Sequence, residues 1–515
     1  MPSLPARVAA VAHAMPERIA LSDGERALTY ATFWRQALAF AGALRTRGLR
    51  PGERVALLLP NRIEAAVAVY GCWLAGGVAV PLNVQARARD VQPWLRHCGA
   101  RHVVHEAGHA DAELALAALD DPPVAWALSP GKPIVSEVHA GAADADAPAT
   151  DPASDALILY TSGTTGAPKG VTLTHANLLA NAQAVLGYLE LTPADSVLGL
   201  LPFYYAYGAS VLHTHLLSGA RVVLSAGLTF PHLLLEACAR ERVTGLSGVP
   251  STFALLLDRA RLADHDLSAL RYLTQAGGAM PQALAQRLRA ALPGPRLFVM
   301  YGQTEATSRL TWLPPDRLDD KPGSVGIAID GVALRIVRDG GQPAAPGEAG
   351  EVQARGPGVM RGYWDAPEAT AAVLQDGWLR TGDIGHLDAD GFLFLSGRRS
   401  DMIKTGAHRV HPGDIEEVIA EVAGVAENAV VGVADDTLGQ VVKAFVVARA
   451  APPEAGAPAP QALDLAIKAH CRARLAPYKI PRHIEFVDAL PRTASGKVRR
   501  AALAPYAPPS QSPTP

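Results

Sequence analysis

The chain has few cysteines and almost no net charge. Its 515 residues include only Cys72, Cys98, Cys238 and Cys471, and no two of them are spaced like a zinc knuckle or a paired redox motif. We therefore expect a cytoplasmic protein without cysteine-based catalysis. Lysine and arginine together number 47 and aspartate and glutamate 49, a balance that argues against nucleic acid as a partner.

The sequence also lacks a segment suited to a membrane. No uncharged apolar run is long enough to span a bilayer. The N-terminal residues include Arg7, His13, Glu17 and Arg18, which do not fit the apolar core of a signal peptide. We expect neither a signal peptide nor an integral membrane segment.

Apolar residues, by contrast, are abundant. The composition is 49% hydrophobic and 19% charged, which suits large folded cores and differs from a disordered chain. The length predicts more than one domain.

Short apolar runs alternate with helix-like segments from Glu53 to about Met300. The predicted strands are 54–59, 77–81, 197–201, 221–225 and 296–300, and the predicted helices are 63–75, 175–188 and 281–292. This alternation predicts an α/β fold with parallel sheets covered by helices. Ligand sites in such folds lie at the carboxyl ends of strands, where Tyr160 and Tyr301 are expected.

The pattern changes in the second half of the chain. Glycines and short alternating runs between Gly323 and Leu395 predict antiparallel β-structure. From about Asp401 the sequence predicts a smaller α/β unit, so we divide the chain into domains at 1–399 and 400–515. Residues 140–154 and 451–460 are predicted to be connecting loops, and the tail 505–515 is predicted to be disordered.

One turn carries more information than any other segment. Residues 160–170 place hydroxyls, glycines and one lysine directly after an apolar run. Glycines allow a ligand to approach the backbone, and N–H groups, hydroxyls and an ammonium suit a polyphosphate. Pro168 before Lys169 and Gly170 after it exclude a Walker A motif. The alternative is a flexible surface turn, which has no need of the lysine.

Four later segments have the same mixed polar and glycine-rich character. Each alone could be an ordinary turn, cap or charged linker. The segments, in chain order, are Tyr301–Thr307, Thr381–Gly385, Gly397–Lys404 and Pro491–Lys497.

With these five motifs in this order, the chain resembles the adenylate-forming superfamily. This family includes acyl- and aryl-CoA synthetases, the amino-acid-activating domains of peptide synthetases, and luciferases, and the chain is most like an acyl-CoA synthetase. The resemblance extends from about Ala20 to Arg500. It implies a large N-terminal domain of two α/β subdomains and a β-barrel-like subdomain, and a small mobile C-terminal α/β domain. It also implies ATP, Mg²⁺ and either CoA or a carrier-protein phosphopantetheine.

The resemblance assigns roles to the motif residues. Lys497 would be the catalytic lysine, acting with Glu305, Lys169 and Thr161, and Mg²⁺ would bind Glu305 and Thr161. The residues expected to bind the nucleotide are Thr161, Ser162, Gly163, Thr164, Thr165, Gly166, Lys169, Gly277, Gly278, Ala279, Tyr301, Gly302, Gln303, Thr304, Asp383, Arg398, Lys404 and Arg409. The loop from Thr161 to Lys169 would hold the β- and γ-phosphates, and Asp383 the ribose.

Two positions depart from the family pattern. Ser400 stands at the hinge between the domains, where Asp or Lys is usual. Ala407 stands in the loop lining the thiol tunnel, where Gly is usual, and a positive φ there would be strained.

The acyl pocket is predicted around Tyr205, Gly248, Gly277 and Thr304. No acidic residue lies between Ser196 and Leu235, so an α-amino acid would lack a partner for its ammonium group. The walls look apolar, which fits a fatty, aryl or related carboxylic acid.

These features predict an ATP-dependent carboxylic acid:CoA ligase that works through an acyl-adenylate. An acyl-adenylating enzyme that loads an acyl carrier protein is the alternative, because both acceptors present the same thiol. A luciferase-like monooxygenase and a binding protein without activity are weaker readings. We expect a monomer or a homodimer with a small-molecule acid and CoA, or a carrier protein, as partners.

Overall fold

The computed structural model describes residues 3–129, 131–134, 150–161, 169–225, 231–405, 408–435, 438–449, 460–493 and 496–503. Within these ranges the α-helices are α1 (Leu4–Ala14), α2 (Tyr30–Thr46), α3 (Ile63–Leu74), α4 (Ala88–Cys98), α5 (Ala110–Ala117), α6 (His175–Leu189), α7 (Ala206–Ser218), α8 (Pro231–Glu241), α9 (Pro250–Arg259), α10 (Gln282–Ala291), α11 (Pro367–Val373), α12 (Pro412–Ala420) and α13 (Pro460–Arg474).

The strands of the same ranges are β1 (Ile19–Ser22), β2 (Ala27–Thr29), β3 (Arg54–Leu58), β4 (Val78–Pro81), β5 (Ala100–Glu106), β6 (Val124–Leu128), β7 (Asp155–Thr161), β8 (Lys169–Thr174), β9 (Ser196–Gly199), β10 (Arg221–Leu224), β11 (Gly245–Gly248), β12 (Tyr272–Gln275), β13 (Arg296–Tyr301), β14 (Thr311–Leu313), β15 (Ser324–Ala328), β16 (Ala333–Val337), β17 (Gly350–Arg355), β18 (Gly362–Tyr363), β19 (Leu374–Gln375), β20 (Trp378–Leu387), β21 (Leu393–Arg398), β22 (Ile403–Thr405), β23 (His408–Val410), β24 (Val425–Asp435), β25 (Gly439–Ala448) and β26 (His483–Phe486).

The first sheet has seven strands in the order β18-β8-β7-β4-β3-β5-β6. Strands β7, β4, β3, β5 and β6 run parallel. At one edge β8 pairs antiparallel with β7, and β18 pairs antiparallel with β8. Helix α3 is buried along its whole length, because its residues other than Glu64 are mostly apolar and Glu64 is ion-paired with Arg26 and Arg62. Trp73 and Tyr70 are among its fully buried side chains.

The second sheet has an antiparallel part and a parallel part. Its main path is β16-β17-β20-β21-β15-β14-β13-β12-β11-β9-β10-β1-β2, with β19 paired to β20. Strands β10, β9, β11, β12 and β13 are parallel and form the α/β part. The predicted β-rich region is present as β15, β16, β17, β19, β20 and β21, which continue this sheet in antiparallel pairs. Its remaining strand, β18, belongs to the first sheet.

A third, smaller sheet forms the C-terminal unit. Its main path is β23-β22-β25-β24, with β26 parallel to β25. Helices α12 and α13 contribute Ile415, Ile419 and Ile467 to a separate apolar core against this sheet. The unit therefore has a core of its own, as a domain requires.

The local predictions agree with the structure to within a few residues. Helix α6 begins directly after Thr174, whose hydroxyl accepts from the Asn177 N–H (3.1 Å) while the Asn177 side chain accepts from the Thr174 N–H (2.9 Å). Residues 451–459 of the predicted loop 451–460 lie outside the described residues, and its last residue, Pro460, is instead the first residue of α13. Proline suits that position, since a first helical turn has no use for its N–H. Residues 140–149 and the tail 505–515 lie outside the described residues.

No helix in the described part of the chain is both long and apolar enough to cross a membrane.

Candidate active site

Three neighbouring parallel strands end at the same edge of the second sheet. Strands β11, β12 and β13 are parallel and in register, so the residues that follow them lie side by side. Gly248 ends β11, Gly277, Gly278 and Ala279 follow β12, and Gly302 follows β13. Gly278 and Ala279 are exposed at this edge, and Gly277 has φ +85°, which favours glycine. The structure thus places the predicted adenine strip and part of the predicted acyl pocket together.

The loop after β13 folds back tightly on itself. A methyl group added at Gly302 would overlap the carbonyl oxygen of Ser308, so glycine is required here. Thr307 adopts φ 65° and ψ −54°, a conformation that is costly for a β-branched residue. Its hydroxyl donates to the Gly358 carbonyl (2.7 Å), which helps to hold the turn. Gln303 and Thr304 lie within this loop.

Glu305 leaves this loop and meets the first sheet. The Tyr363 hydroxyl donates to Glu305 Oε1 (2.9 Å), and the Met360 N–H donates to the Glu305 carbonyl (2.8 Å). The Lys169 ammonium lies 5.0 Å from the centre of the Tyr363 ring. Thr161 pairs with Lys169 across the β7–β8 ladder. Tyr363 therefore joins three of the predicted residues into one cluster.

This cluster suits a magnesium ion. Glu305 supplies a half-buried carboxylate whose Oε1 is positioned by a tyrosine, and the Thr161 hydroxyl lies on the neighbouring strand β7. No group of three or more His, Cys, Asp or Glu in the described ranges could enclose a metal. Mg²⁺ does not need such a cage, because it usually binds one or two carboxylates together with substrate phosphates and water.

Asp383 is held from two sides. It is buried, and it faces Arg398 across the β20–β21 ladder. The Tyr301 hydroxyl donates to Asp383 Oδ2 (2.6 Å), and Arg398 Nε lies 3.1 Å from Oδ1. Burial, followed by the Asp383 charge, raises the pKa of Tyr301 well above its ordinary value, so the tyrosine remains a proton donor. The Asp383 charge raises the pKa of Arg398.

The carboxylate of Asp383 retains acceptor capacity for a ligand. Each carboxylate oxygen can accept more than one hydrogen bond, and each has one described partner. The sequence predicted that Tyr301 stacks on adenine. In the structure its side chain is buried and anchors Asp383.

Lys497 reaches this region from the C-terminal unit. It lies on a tight hairpin in which the Thr493 N–H donates to the Lys497 carbonyl (2.7 Å). Gly496 has φ +81°, and a methyl group added there would lie 3.4 Å from Val249 and 3.5 Å from Ser251. The hairpin therefore packs against the loop that follows β11, at the edge described above.

The electrostatic neighbours of Lys497 are the other predicted site residues. Desolvation, and then the charge of Arg398, lower the pKa of Lys497, while Asp383 and Glu305 act in the opposite direction. The side chain of Lys497 is exposed to solvent. We refer to the space between the Lys497 hairpin and the strand-end edge of the second sheet as the cleft. Asp383, Arg398 and Glu305 lie close enough for their charges to act on Lys497 there.

Next to this cleft, polar side chains of helix α7 and of strands β11 and β12 are joined by hydrogen bonds. Tyr205 is the residue before α7, and its ring packs edge-on against Tyr204 (4.6 Å between centroids). The Tyr207 hydroxyl donates to the Thr274 carbonyl (2.9 Å) and lies 2.8 Å from Thr274 Oγ1. Thr274 in turn donates to Ser247 Oγ (2.8 Å). The walls of the acyl pocket, which the sequence predicted to be apolar, therefore include three hydrogen-bonded polar side chains.

Some predicted residues are not placed, or are placed only in part. Ser162, Gly163, Thr164, Thr165, Gly166 and Ala407 lie outside the described residues. Lys404 and Arg409 face each other across the β22–β23 hairpin of the C-terminal unit. Ser400 lies in a short 3₁₀ turn, Arg399–Asp401, between β21 and β22.

The sequence analysis missed two residues that the structure brings to the site. Tyr363 contacts both Glu305 and Lys169, and its position after Gly362 in the β-rich region was the available signal. Arg309 lies four residues after Glu305 and is buried. A basic residue in the middle of an otherwise uncharged stretch was the signal there.

Known proteins are similar to this chain over nearly its whole length. The family described as AMP-binding enzyme matches residues 8–364, and the AMP-binding enzyme C-terminal domain matches residues 414–497. A feruloyl-CoA synthase from Amycolatopsis sp is 37% identical, covering 95% of this chain and 96% of that protein. A 2-succinylbenzoate–CoA ligase from Geobacillus kaustophilus is 36% identical, covering 95% of both chains.

Solved structures are similar over the same length. ATP-bound MatB from Rhodopseudomonas palustris superposes with a TM-score of 0.88 at 30% identity, covering 98% of both chains. An anthranilate CoA ligase in complex with anthranoyl-AMP gives a TM-score of 0.89 at 28% identity, covering 97% of this chain and 96% of that one. These matches confirm the predicted fold, a large N-terminal and a small C-terminal α/β domain. The chain belongs to the AMP-binding enzyme family.

Proposed function

We propose that the protein joins a carboxylic acid, above all an aromatic one, to coenzyme A in an ATP-dependent reaction. The comparisons confirm the enzyme class, an AMP-forming carboxylic acid:CoA ligase. The relatives named for feruloyl-CoA, 2-succinylbenzoate and indoleacetate support an aromatic acid in particular. The cytoplasmic location, the domain boundary at 399/400 and the residue roles below stay predictions.

The first half-reaction joins two anions. A carboxylate oxygen attacks the α-phosphorus of ATP, the bond from that phosphorus to the bridging oxygen of the β-phosphate breaks, and pyrophosphate leaves. Fixed positive charge and oriented donors are needed because negative charge builds up at the α-phosphate. We assign this role to Lys497, the flexible cation that enters the cleft from the C-terminal unit.

The remaining residues position the nucleotide. Asp383 is prepared by Tyr301 and Arg398 to accept the two ribose hydroxyls. Lys169 and the loop before it would contact the terminal phosphates. Glu305 and Thr161 would hold Mg²⁺, which when bound neutralises phosphate charge.

The second half-reaction uses the acyl-adenylate. The CoA sulfur attacks the acyl carbon, the carbon–oxygen bond to AMP breaks, and the thiol proton leaves to solvent or a base. Lys497 has no task in this step and would obstruct it, which supports a C-terminal domain that moves between the two steps.

The observation that carries the proposal is that the Lys497 hairpin packs at the strand-end edge of the second sheet, close enough to Asp383 and Glu305 for their charges to act on Lys497. These residues are far apart in the sequence. The test measures pyrophosphate release from ATP with a panel of aryl, aryl-alkanoic, short-chain and long-chain fatty acids. The product of the best acid is then identified by mass spectrometry in the presence of CoA and of a holo acyl carrier protein.

We expect pyrophosphate release with at least one aryl acid and an acyl-CoA thioester as the product. An acyl-thioester on the carrier protein alone would favour the alternative acceptor. No pyrophosphate release with any acid would contradict the proposed function.

A further inference from the structure

Arg309 is a buried cation whose contacts in the described part of the chain include no anion. Its residue surface is 3% exposed. Its described contacts are with neutral groups. Nε contacts the Met300 sulfur (3.3 Å), and Nη1 contacts the hydroxyl and the carbonyl of Ser308. The Tyr188 hydroxyl is a further neutral partner, and the guanidinium carbon lies 3.9 Å from the centre of the Tyr207 ring. Among the described residues, no carboxylate lies within ion-pair distance of Arg309.

The contrast with the other buried arginine is informative. Arg62 is 9% exposed, and it forms ion pairs with both Glu64 and Glu106 (2.7 Å each). Burying an unpaired charge is costly, and removing one partner of a buried ion pair is strongly destabilising. A cation–π contact offsets only part of such a cost. The arrangement around Arg309 is therefore incomplete without an anion.

Arg309 lies next to residues of the predicted acyl pocket. Its backbone packs against Gly302 in the folded-back loop, next to the strand ends that form the cleft. Its guanidinium covers the ring of Tyr207, whose hydroxyl is held by Thr274 on β12. Tyr207 itself is two residues from Tyr205 in the predicted pocket.

A cavity of about 10 Å³, roughly the room of one water molecule, lies close by. Its polar lining comes from Asn181, Ser210 and Thr307, and most of the remaining lining is apolar. The Asn181 side chain donates to the Arg309 carbonyl (2.9 Å), so the cavity and the arginine are in contact through one residue. A guanidinium has five N–H donors, and the recorded hydrogen bonds use Nε and Nη1 only.

We propose that Arg309 selects an acid that carries a second anionic group, a carboxylate, at the end remote from the reacting one. The second carboxylate would bind the free edge of the guanidinium and complete the buried ion pair. This inference rests on the proposed function and specifies its substrate class as a dicarboxylic acid.

The test compares matched pairs of acids that differ only in the second carboxylate: phenylacetate with 2-carboxyphenylacetate, 3-phenylpropanoate with 3-(2-carboxyphenyl)propanoate, and hexanoate with adipate. Pyrophosphate release is measured for the wild-type chain, Arg309→Met and Arg309→Lys. Arg296→Met is the matched control, because Arg296 also covers a ring, that of Phe298, but is exposed.

For the wild type we expect kcat/KM to be about tenfold higher or more for the dicarboxylate in at least one pair. Arg309→Met should lower that value about 100-fold while changing the monocarboxylate value by no more than about threefold. Arg309→Lys should retain part of the preference, and Arg296→Met all of it.

Two results would overturn the inference. A wild-type preference for the monocarboxylate in every pair would leave the proposed function standing and remove this role of Arg309. Equal loss for both members of a pair in Arg309→Met would show that Arg309 only supports the fold. If that variant does not fold, the wild-type preference and the Arg309→Lys values decide. Absence of pyrophosphate release with every acid would instead contradict the proposed function itself.

Discussion

Asp383 and Glu305 are each held by a tyrosine in the structure. Tyr301 donates to Asp383 and Tyr363 donates to Glu305, so neither carboxylate has to be oriented during binding. Arg398 adds a charged contact to Asp383. Such positioning favours catalysis because the geometry is set before the reaction begins.

The role of Asp383 can be tested by removing its charge alone. Asp383→Asn keeps the size of the side chain but weakens the contacts with Arg398 and with ribose hydroxyls. We expect the KM for ATP in pyrophosphate release to rise about tenfold to 100-fold, because a charged acceptor is lost. Asp390→Asn is the control, since Asp390 is an exposed acid in the turn between β20 and β21. An unchanged KM for ATP in Asp383→Asn would remove the ribose role.

At the scale of elements, the loop after β13 depends on the close approach of the Gly302 backbone to the Ser308 carbonyl. Gly302→Ala would place a methyl group against the Ser308 carbonyl, and backbone on both sides leaves little room to adjust. We expect a loss of stability of about 1–3 kcal/mol. We also expect a fall in kcat/KM for ATP of about 100-fold, because the loop carries Glu305.

Gly294→Ala is the control for that loop. Gly294 has no heavy atom within 4 Å of an added methyl group and no positive φ, so its substitution should be neutral. Thermal unfolding and pyrophosphate release measured on both variants make the comparison. Similar behaviour of the two variants would show that the tight turn is dispensable.

Helix α7 contains two buried histidines that make the fold sensitive to acid. Burial lowers the pKa of His213 to about 3 and that of His215 to about 4, from an ordinary 6.5. Both are therefore neutral in the folded protein. As the pH falls below 6.5, these histidines take up protons in the unfolded chain but not in the folded chain. Their contribution to the free energy of unfolding is therefore complete above that pH and is lost as the pH falls toward 4.

We expect His215→Gln to reduce this sensitivity. Glutamine can still bond to the Tyr272 hydroxyl, which lies 2.6 Å from His215 Nε2, but it does not titrate. Between neutral pH and one unit below 6.5, the variant should lose about 1 kcal/mol less stability than the wild type. Thermal unfolding at the two pH values measures this, with His13→Gln on α1 as an exposed control. An equal loss in His215→Gln and the wild type would contradict the assignment.

The elements themselves were largely predictable. The apolar runs of β3, β4 and β13 and the cap at Thr174 are local signals, and local signals fix local structure. The motif residues of the site were predictable as a set through the family resemblance. The contacts of Tyr363 and Arg309 were not, because they depend on which distant segments the sheets bring together. The prediction of an apolar pocket around Tyr205 did not include the hydrogen-bonded polar side chains from Tyr207 to Ser247, for the same reason.

At the scale of the whole molecule, the site is divided between two units. The N-terminal unit holds most of the residues assigned to nucleotide and acid. Lys404, Arg409 and Lys497 belong to the C-terminal unit, which has its own core. The short turn Arg399–Asp401 connects β21 to β22 and is the natural place for rotation. We propose that the units rotate there, so that Lys497 is present for adenylation and absent for thioester formation.

The direct test separates the two half-reactions in Lys497→Ala. Acyl-adenylate formation should fall about 100-fold to 1,000-fold, because a cation at the developing charge is removed. Thioester formation from supplied acyl-adenylate and CoA should stay within about threefold of the wild type. Lys468→Ala, on the surface of α13, should leave both rates unchanged. An equal loss of both half-reactions in Lys497→Ala, or no loss of adenylate formation, would contradict the account.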